Sequence, residues 1–152
     1  LEYVCERSKS RIILETGAGQ GTEVGYKLED LGYIYNKLSN KTKKRIHFCI
    51  DSCHIWSAGY DISTKNQVKQ YFDDFDRIVG GKITVIHFNN SMTDLGSKVD
   101  RHADLLHGKI PDEGIKAIAQ YAKDNNLALI TETPHIKTDA KNELEIILNM
   151  LN

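Results

Sequence analysis

The sequence predicts an α/β protein, a parallel sheet wrapped by helices. Three observations carry that expectation. Short apolar runs alternate four times with segments of helical period. The runs are apolar at nearly every position, as strands covered on both faces require. No low-complexity linker divides the 152 residues, so they read as one unit.

The first run, Arg11–Glu15, ends in a carboxylate. A helix is expected over Tyr26–Leu38, with Leu28, Leu31, Tyr35 and Leu38 at helical spacing. Arg45–Asp51 is the second strand. Thr64-Lys-Asn-Gln67 has a capping-box pattern and precedes Val68, Phe72, Phe75 and Val79 on one helical face. Ile83–His87 is the third strand, followed after a long loop by a helix over Asp112–Asp124. Leu127–Glu132 is the fourth strand, and a last helix from about Asp139 carries Leu144, Ile147, Leu148 and Leu151. Four such units fit either an open α/β sheet or half of an eight-stranded barrel. Pattern alone does not choose.

The net charge is −1, so composition gives no argument for nucleic-acid binding, and any such surface must be local. No apolar stretch approaches the roughly 18 residues of a membrane span. The segment from Leu1 to Ser10 is no signal peptide and reads as the tail of a helix cut from something longer. Cys5, Cys49 and Cys53 are odd in number and form no CxxC pair; they fit a reducing, intracellular compartment.

Each strand ends in a potential metal ligand: Glu15, Asp51, His87 and Glu132. Active sites of α/β barrels lie at the C-terminal ends of the strands. One nitrogen and three carboxylates there suit zinc, and manganese as well. Alternation along each strand then puts Ile13, His47, Cys49, Ile83, Val85, Ala128 and Ile130 inward, with Ile12, Leu14, Ile46, Phe48, Ile50, Thr84, Ile86, Leu127 and Leu129 outward. Two loops add His54, three residues beyond Asp51, and the Asp100-Arg-His102 triplet. Together these three make a second candidate set. Gly17-Ala-Gly-Gln-Gly21 lacks both P-loop and dinucleotide spacing, and its glycines suit a tight turn close to metals and a phosphate backbone. Lys41, Lys43, Lys44 and Arg45 precede a strand and so lie at the opposite end, on a solvated face. Lys98, Arg101, Lys109 and Lys137 follow strands and are the better phosphate contacts. Trp56 and Tyr60 are expected to pack within the loop after Asp51.

Several motifs in order now resemble one family. They are Glu15-Thr-Gly-Ala-Gly-Gln-Gly21, Cys49-Ile-Asp-Ser-Cys-His54 with Ala58-Gly-Tyr-Asp61, His87-Phe-Asn-Asn-Ser91, Gly96-Ser-Lys-Val-Asp-Arg-His102 and Thr131-Glu-Thr133. The chain resembles endonuclease IV, an apurinic/apyrimidinic (AP) endonuclease family, from its fifth strand to its C-terminus. The resemblance implies a TIM (β/α)8 barrel, of which residues 1–152 supply about four β/α units, the C-terminal half of a single domain. It implies three zinc ions in the complete site. Glu15 would bridge two, Asp51, His87 and Glu132 would complete one, and His54, Asp100 and His102 would hold another. The remaining ion would take two histidines from an N-terminal half absent here. Asn90, Met92, Leu106 and Pro111 depart from the family pattern, as does the extra His107. None is an implied ligand.

The implied activity is hydrolysis of the phosphodiester 5′ to an abasic site in double-stranded DNA, with Glu132 and Glu15 catalytic and Arg101 and Lys109 contacting DNA. Two other readings stand beside it. One is a metal-dependent sugar isomerase or epimerase on the same barrel, which needs no second ligand set. The other is a non-catalytic fragment.

Overall fold

The computed structural model describes residues 1–151, without the side chains of 136–140. Its elements run α1 (Glu2–Arg7), β1 (Ile12–Glu15), α2 (Leu28–Asn36), α3 (Asn40–Lys43), β2 (Ile46–Asp51), α4 (Ser52–Ala58), α5 (Lys65–Ile78), β3 (Lys82–His87), β4 (Asn90–Ser91), β5 (His102–Ala103), α6 (Asp112–Asp124), β6 (Ala128–Ile130) and α7 (Ile136–Met150). Four strands form one parallel sheet in the order β1-β2-β3-β6. Sequential order with a helix between neighbours is the half-barrel arrangement.

One face of the sheet is closed. Phe48, Ile50 and Ile86 are buried there with Leu28, Leu31, Phe72, Phe75, Ile115 and Ile118 of the covering helices. Phe48 meets Tyr35 and Phe75 edge to face, at 5.5 and 5.3 Å between ring centroids. Glycine at position 81 lets Phe48 sit there, because a Cβ would lie 2.2 Å from its ring. The other face is open. Ile13 and Ile130 are 47% and 46% exposed, since no strands oppose them. β1 and β6 are the two free edges.

The inward set needs one correction. The register between β2 and β3 shifts, with Phe48 opposite Ile83 but Cys49 opposite Val85. The extra residue, Thr84, is a bulge that breaks the alternation. Ile83 therefore shares the helix-facing side with Phe48 and is buried in that core. Other differences are of extent. β6 stops at Ile130, two residues short of Glu132, and α7 begins at Ile136 rather than near Asp139. Thr64 caps α5 by accepting from the Gln67 N–H, as its pattern predicts. Arg45 is no part of a solvated basic face. Its guanidinium donates to the carbonyls of Cys5 and Ser10 and ties the N-terminal segment to the sheet. All three cysteines are buried and free. No helix among the described residues is long and apolar enough to cross a membrane.

Candidate metal centre

The C-terminal ends of the strands bring Glu15, Asp51, His87 and Glu132 together, each offering a ligand atom within 4.8 Å of the others. Three carboxylates crowd one ring nitrogen. His87 Nδ1 lies 2.8 Å from Glu15 Oε1, 3.2 Å from Glu132 Oε2 and 3.8 Å from Asp51 Oδ2. Glu132 reaches the group from beyond β6. Its backbone N–H donates to Asn89 Oδ1 at 2.8 Å, which holds the chain in line after the ladder ends.

His54, Asp100 and His102 form a second set by the same measure. Asp100 faces both rings, its carboxylate oxygens 3.3 Å from His54 Nε2 and 3.3 Å from His102 Nε2. Neither residue type nor spacing placed these on regular structure, yet two of the three are. The segment after Asp51 is a helix, not a loop. Asp51 is its N-cap, accepting from the His54 N–H at 2.9 Å, and Gly59 ends it at φ 107°. Trp56 and Tyr60 pack as expected, with the indole N–H donating to the Thr93 carbonyl at 3.0 Å. His102 opens β5, which pairs with β4.

The two sets touch. Asp51 Oδ2 is 3.6 Å from His102 Nε2, and Glu15 Oε1 is 3.6 Å from His54 Nδ1. Four carboxylates and three imidazoles thus share one small volume, which calls for positive charge between them. The rings are oriented for it. His54 Nδ1–H donates to the Thr16 carbonyl at 2.8 Å, and His102 Nδ1–H to the Glu132 carbonyl at 3.3 Å. That fixes each tautomer and presents Nε2 as a lone pair. Both Nε2 atoms are buried without a hydrogen-bond partner. Each Nε2 faces the Asp100 carboxylate at 3.3 Å, an arrangement that needs a cation between them, and a metal ion bound by both donors suits it.

Asp51 is fully buried, and burial pushes its pKa upward. For His54, burial pulls the pKa down, but Asp51, the Thr16 carbonyl, Asp100 and Glu15 together outweigh it and the net direction is up. Burial likewise pushes the Cys49 thiol up to about 12 and Cys53 to about 11, so both remain thiols at neutral pH. Cys53 donates its S–H to the Arg101 carbonyl at 3.6 Å, and Ser57 donates to the Val99 carbonyl at 2.9 Å. Both come from α4, so the helix bearing His54 also holds the segment bearing Asp100 and His102.

Arg101 and Lys109 are exposed at this end. The Arg101 guanidinium donates to the Asp100 carbonyl at 3.1 Å, and Lys109 Nζ lies 3.6 Å from Asp94 Oδ1. The Lys137 side chain lies outside the described residues. Sequence reasoning missed Asn89. Its amide donates to Asp51 Oδ2 at 2.9 Å while its oxygen takes the Glu132 N–H, joining two candidate ligands. The only signal was its place inside His87-Phe-Asn-Asn-Ser91. A larger cavity, about 510 Å³, lies among α5, α6 and α7 and includes Val68 and Tyr121. No metal-ligating group gathers there among the described residues, so volume does not locate the site.

Comparison with known proteins gives the same frame. Residues 1–150 match the xylose isomerase-like TIM barrel family. The chain belongs to that family. A protein of Acanthamoeba polyphaga mimivirus, whose name places it with endonuclease 4, is 50% identical over 139 residues, 91% of this chain and 45% of its own length. The apurinic-apyrimidinic endonuclease of Caenorhabditis elegans is 36% identical over 152 residues, 99% of this chain and 37% of its own. The crystal structure of endonuclease IV from Thermus thermophilus superposes with a TM-score of 0.78 at 34% identity, covering 97% of this chain and 52% of that one. The chain spans about half, or less, of the length of the relatives it matches. The match to half of a solved barrel decides between the open sheet and the half barrel, in favour of the half barrel.

Proposed function

We propose that the complete protein is a zinc-dependent endonuclease that hydrolyses the phosphodiester 5′ to an abasic site in double-stranded DNA. The observation that carries this is the second ligand set. An isomerase working around one ion has use for Glu15, Asp51, His87 and Glu132 but none for His54, Asp100 and His102 arranged against them. The relatives named as AP endonucleases support the same choice. Asp51, His87 and Glu132 would hold one ion, His54, Asp100 and His102 another, and Glu15 stands between the two sets. Manganese also suits these donors.

Divalent ions supply charge for the phosphoryl oxygens and a water made nucleophilic at neutral pH. The chain's own groups do the rest. A water oxygen bonds to phosphorus, the bond from phosphorus to O3′ breaks, and a 3′-hydroxyl and a 5′-phosphate remain. Glu132, half exposed at the mouth, is placed to orient the water and accept its proton, and the departing O3′ takes a proton from solvent. Glu15, also half exposed, keeps its carboxylate between His87 and His54. Arg101 and Lys109 contact the phosphate backbone. An abasic nucleotide has no base to unstack, which lowers the cost of drawing it toward the centre. The rest of the barrel pairs with the free edges of β1 and β6 and covers Ile13 and Ile130.

The test uses the complete protein. Metal analysis is expected to give more than one zinc per chain, and a duplex with one abasic site is cut on its 5′ side. His102→Ala lowers both metal content and cleavage while the protein stays folded. One ion per chain, with aldose–ketose interconversion and no cleavage, overturns the proposal.

A further inference from the structure

Lys98 adopts φ 55°, a left-handed conformation that residues with a Cβ seldom take. Its backbone is locked there. The Lys98 N–H donates to the Ser57 carbonyl at 2.9 Å, and the Ser57 hydroxyl donates to the next carbonyl, Val99, at 2.9 Å. The side chain turns back over Tyr26, with Nζ 5.2 Å from the ring centroid. Lys27 approaches the same ring, its Nζ at 5.6 Å. Among the described residues neither ammonium is in an ion pair.

Tyr26 is tied to the centre through the glycine-rich loop. Its ring lies against Gly19, where a Cβ would come within 3.0 Å of it and φ is 82°. Glu23 braces the loop from inside, accepting from the N–H of Gly19 at 2.9 Å and of Gln20 at 3.2 Å. Gln20 Oε1 in turn accepts from the Asp100 N–H at 3.1 Å. Ala18, Gln20, Glu23, His54 and Asp100 line a cavity of about 250 Å³ on this flank. Lysine beside tyrosine is not rare in this chain. Lys37 lies by Tyr33 and Lys43 by Tyr35, at 5.4 and 5.3 Å. Each of those has one lysine, and both lie toward the far end of the sheet. Among the described residues only Tyr26 orders two, one of them on a strained backbone two residues from Asp100.

We propose that Tyr26, Lys27 and Lys98 form a phosphodiester subsite on the His54–Asp100 flank, taking one backbone phosphate of the bound strand between two ammonium groups. The subsite rests on the nuclease reading above. One ring lies within 5.6 Å of both ammonium groups and restrains both side chains, so less side-chain freedom is lost when a phosphate arrives. A backbone contact of this kind positions the strand without reading its sequence.

The experiment measures binding of the complete protein to a duplex with one abasic site as salt is varied. Lys27→Ala and Lys98→Asn, an amide that tolerates positive φ, should each lower the slope of log K against log salt by about 0.9, and the double variant by about 1.8. Lys43→Ala should leave the slope unchanged. Tyr26→Phe, which keeps the ring, should behave as wild type, and Lys98→Arg should restore the slope. An unchanged slope in the double variant, with abasic-site cleavage intact, overturns the subsite and leaves the nuclease reading standing. A wild-type protein that neither binds nor cuts such DNA overturns both.

Discussion

The two faces of the sheet are built from the same strands and both carry isoleucine, yet they end in different states. On the helix-facing side Phe48 is 0% exposed. On the other, Ile13 is 47% exposed. Residue type alone does not explain the difference, since isoleucine lies on both sides. Partners do: helices cover one side, and the opposing strands of a closed barrel are not in this chain. The open face is also not uniform. Its flanks expose Ile13 and Ile130 on either side of buried His47 and Cys49, while its upper end is a polar cluster drawn together by hydrogen bonds. Apolar surface waits for a partner, whereas the candidate ligands of this chain are brought together by the chain itself.

The largest expected effect breaks the comparison if it fails. Phe48→Ala should destabilise the chain by about 3–5 kcal/mol, because a buried ring is lost from a packed core and the space only partly closes. Ile13→Ala in the same chain, kept dilute enough to stay monomeric, should cost well under about 1 kcal/mol, since its side chain then meets solvent. Urea titrations of the two variants give the ratio directly. Similar costs would mean that the open face is covered in solution.

Cover by association at higher concentration is the second expectation. The 152-residue chain alone should self-associate, because β1 and β6 offer unpaired backbone groups beside exposed Ile13 and Ile130. Sedimentation across a hundredfold concentration range would show mass rising with concentration. A monomer throughout, with Ile13→Ala still silent, would make the open face stable as it stands. The same chain should cut abasic DNA poorly until the other half of a barrel is supplied.

Much of this was legible in residues, and the parts that were not share a cause. The parallel α/β arrangement and the convergence of Glu15, Asp51, His87 and Glu132 followed from apolar runs ending in carboxylate or imidazole. The nature of the His54 segment did not, because Ser-Cys-His-Ile-Trp-Ser-Ala is too short for helical period to register. Its cap, Asp51, is visible in the sequence, but there a strand-end carboxylate points to a ligand and not to a helix start. The Thr84 bulge was illegible: alternation assumes a regular pleat, and nothing in Ile-Thr-Val-Ile marks an extra residue. Nor could pattern show that Asn89 spans Asp51 and Glu132, since that depends on two strands and a loop meeting in space. The second candidate set was legible in His54 and the Asp100-Arg-His102 triplet, and the structure brings those three side chains together.

Asn89 sharpens the contrast between the apolar and polar parts of the open face. Asn89→Ala removes a donor from buried Asp51 and an acceptor from the Glu132 N–H. A cost of about 2 kcal/mol is expected, from the two polar groups left without partners. Asn89→Asp should do worse at neutral pH than at mildly acidic pH, because a carboxylate there faces Asp51. Urea midpoints at the two pH values check the order. If Asn89→Ala is neutral, the polar end is held by packing, and hydrogen bonds do not distinguish it from the apolar flanks.

The smallest effect concerns the junction of the two loops that leave the centre. Asp104 accepts from the His135 N–H at 3.1 Å and forms a short contact with its Nδ1, linking the segment after His102 to the segment after Glu132. The hydrogen bond to Asp104, then its charge, raises the His135 pKa. For Asp104, burial acts upward, but the bonds from His135 outweigh it and the net direction is down. A raised histidine stabilises fully below its unfolded pKa, near 6.5, and that stabilisation is lost as pH rises through the folded value. A lowered aspartate contributes above its unfolded pKa, near 3.9, and loses that as pH falls through the folded one. The link is therefore strongest between mild acid and neutrality. His135→Ala should lower the urea midpoint at about pH 5.5 and lose that effect by about pH 9. Because His135 is exposed, the shift should be small and should shrink in salt. If instead the variant is equally destabilised at both pH values, the ring contributes through packing, and the ion pair does not fasten the two loops.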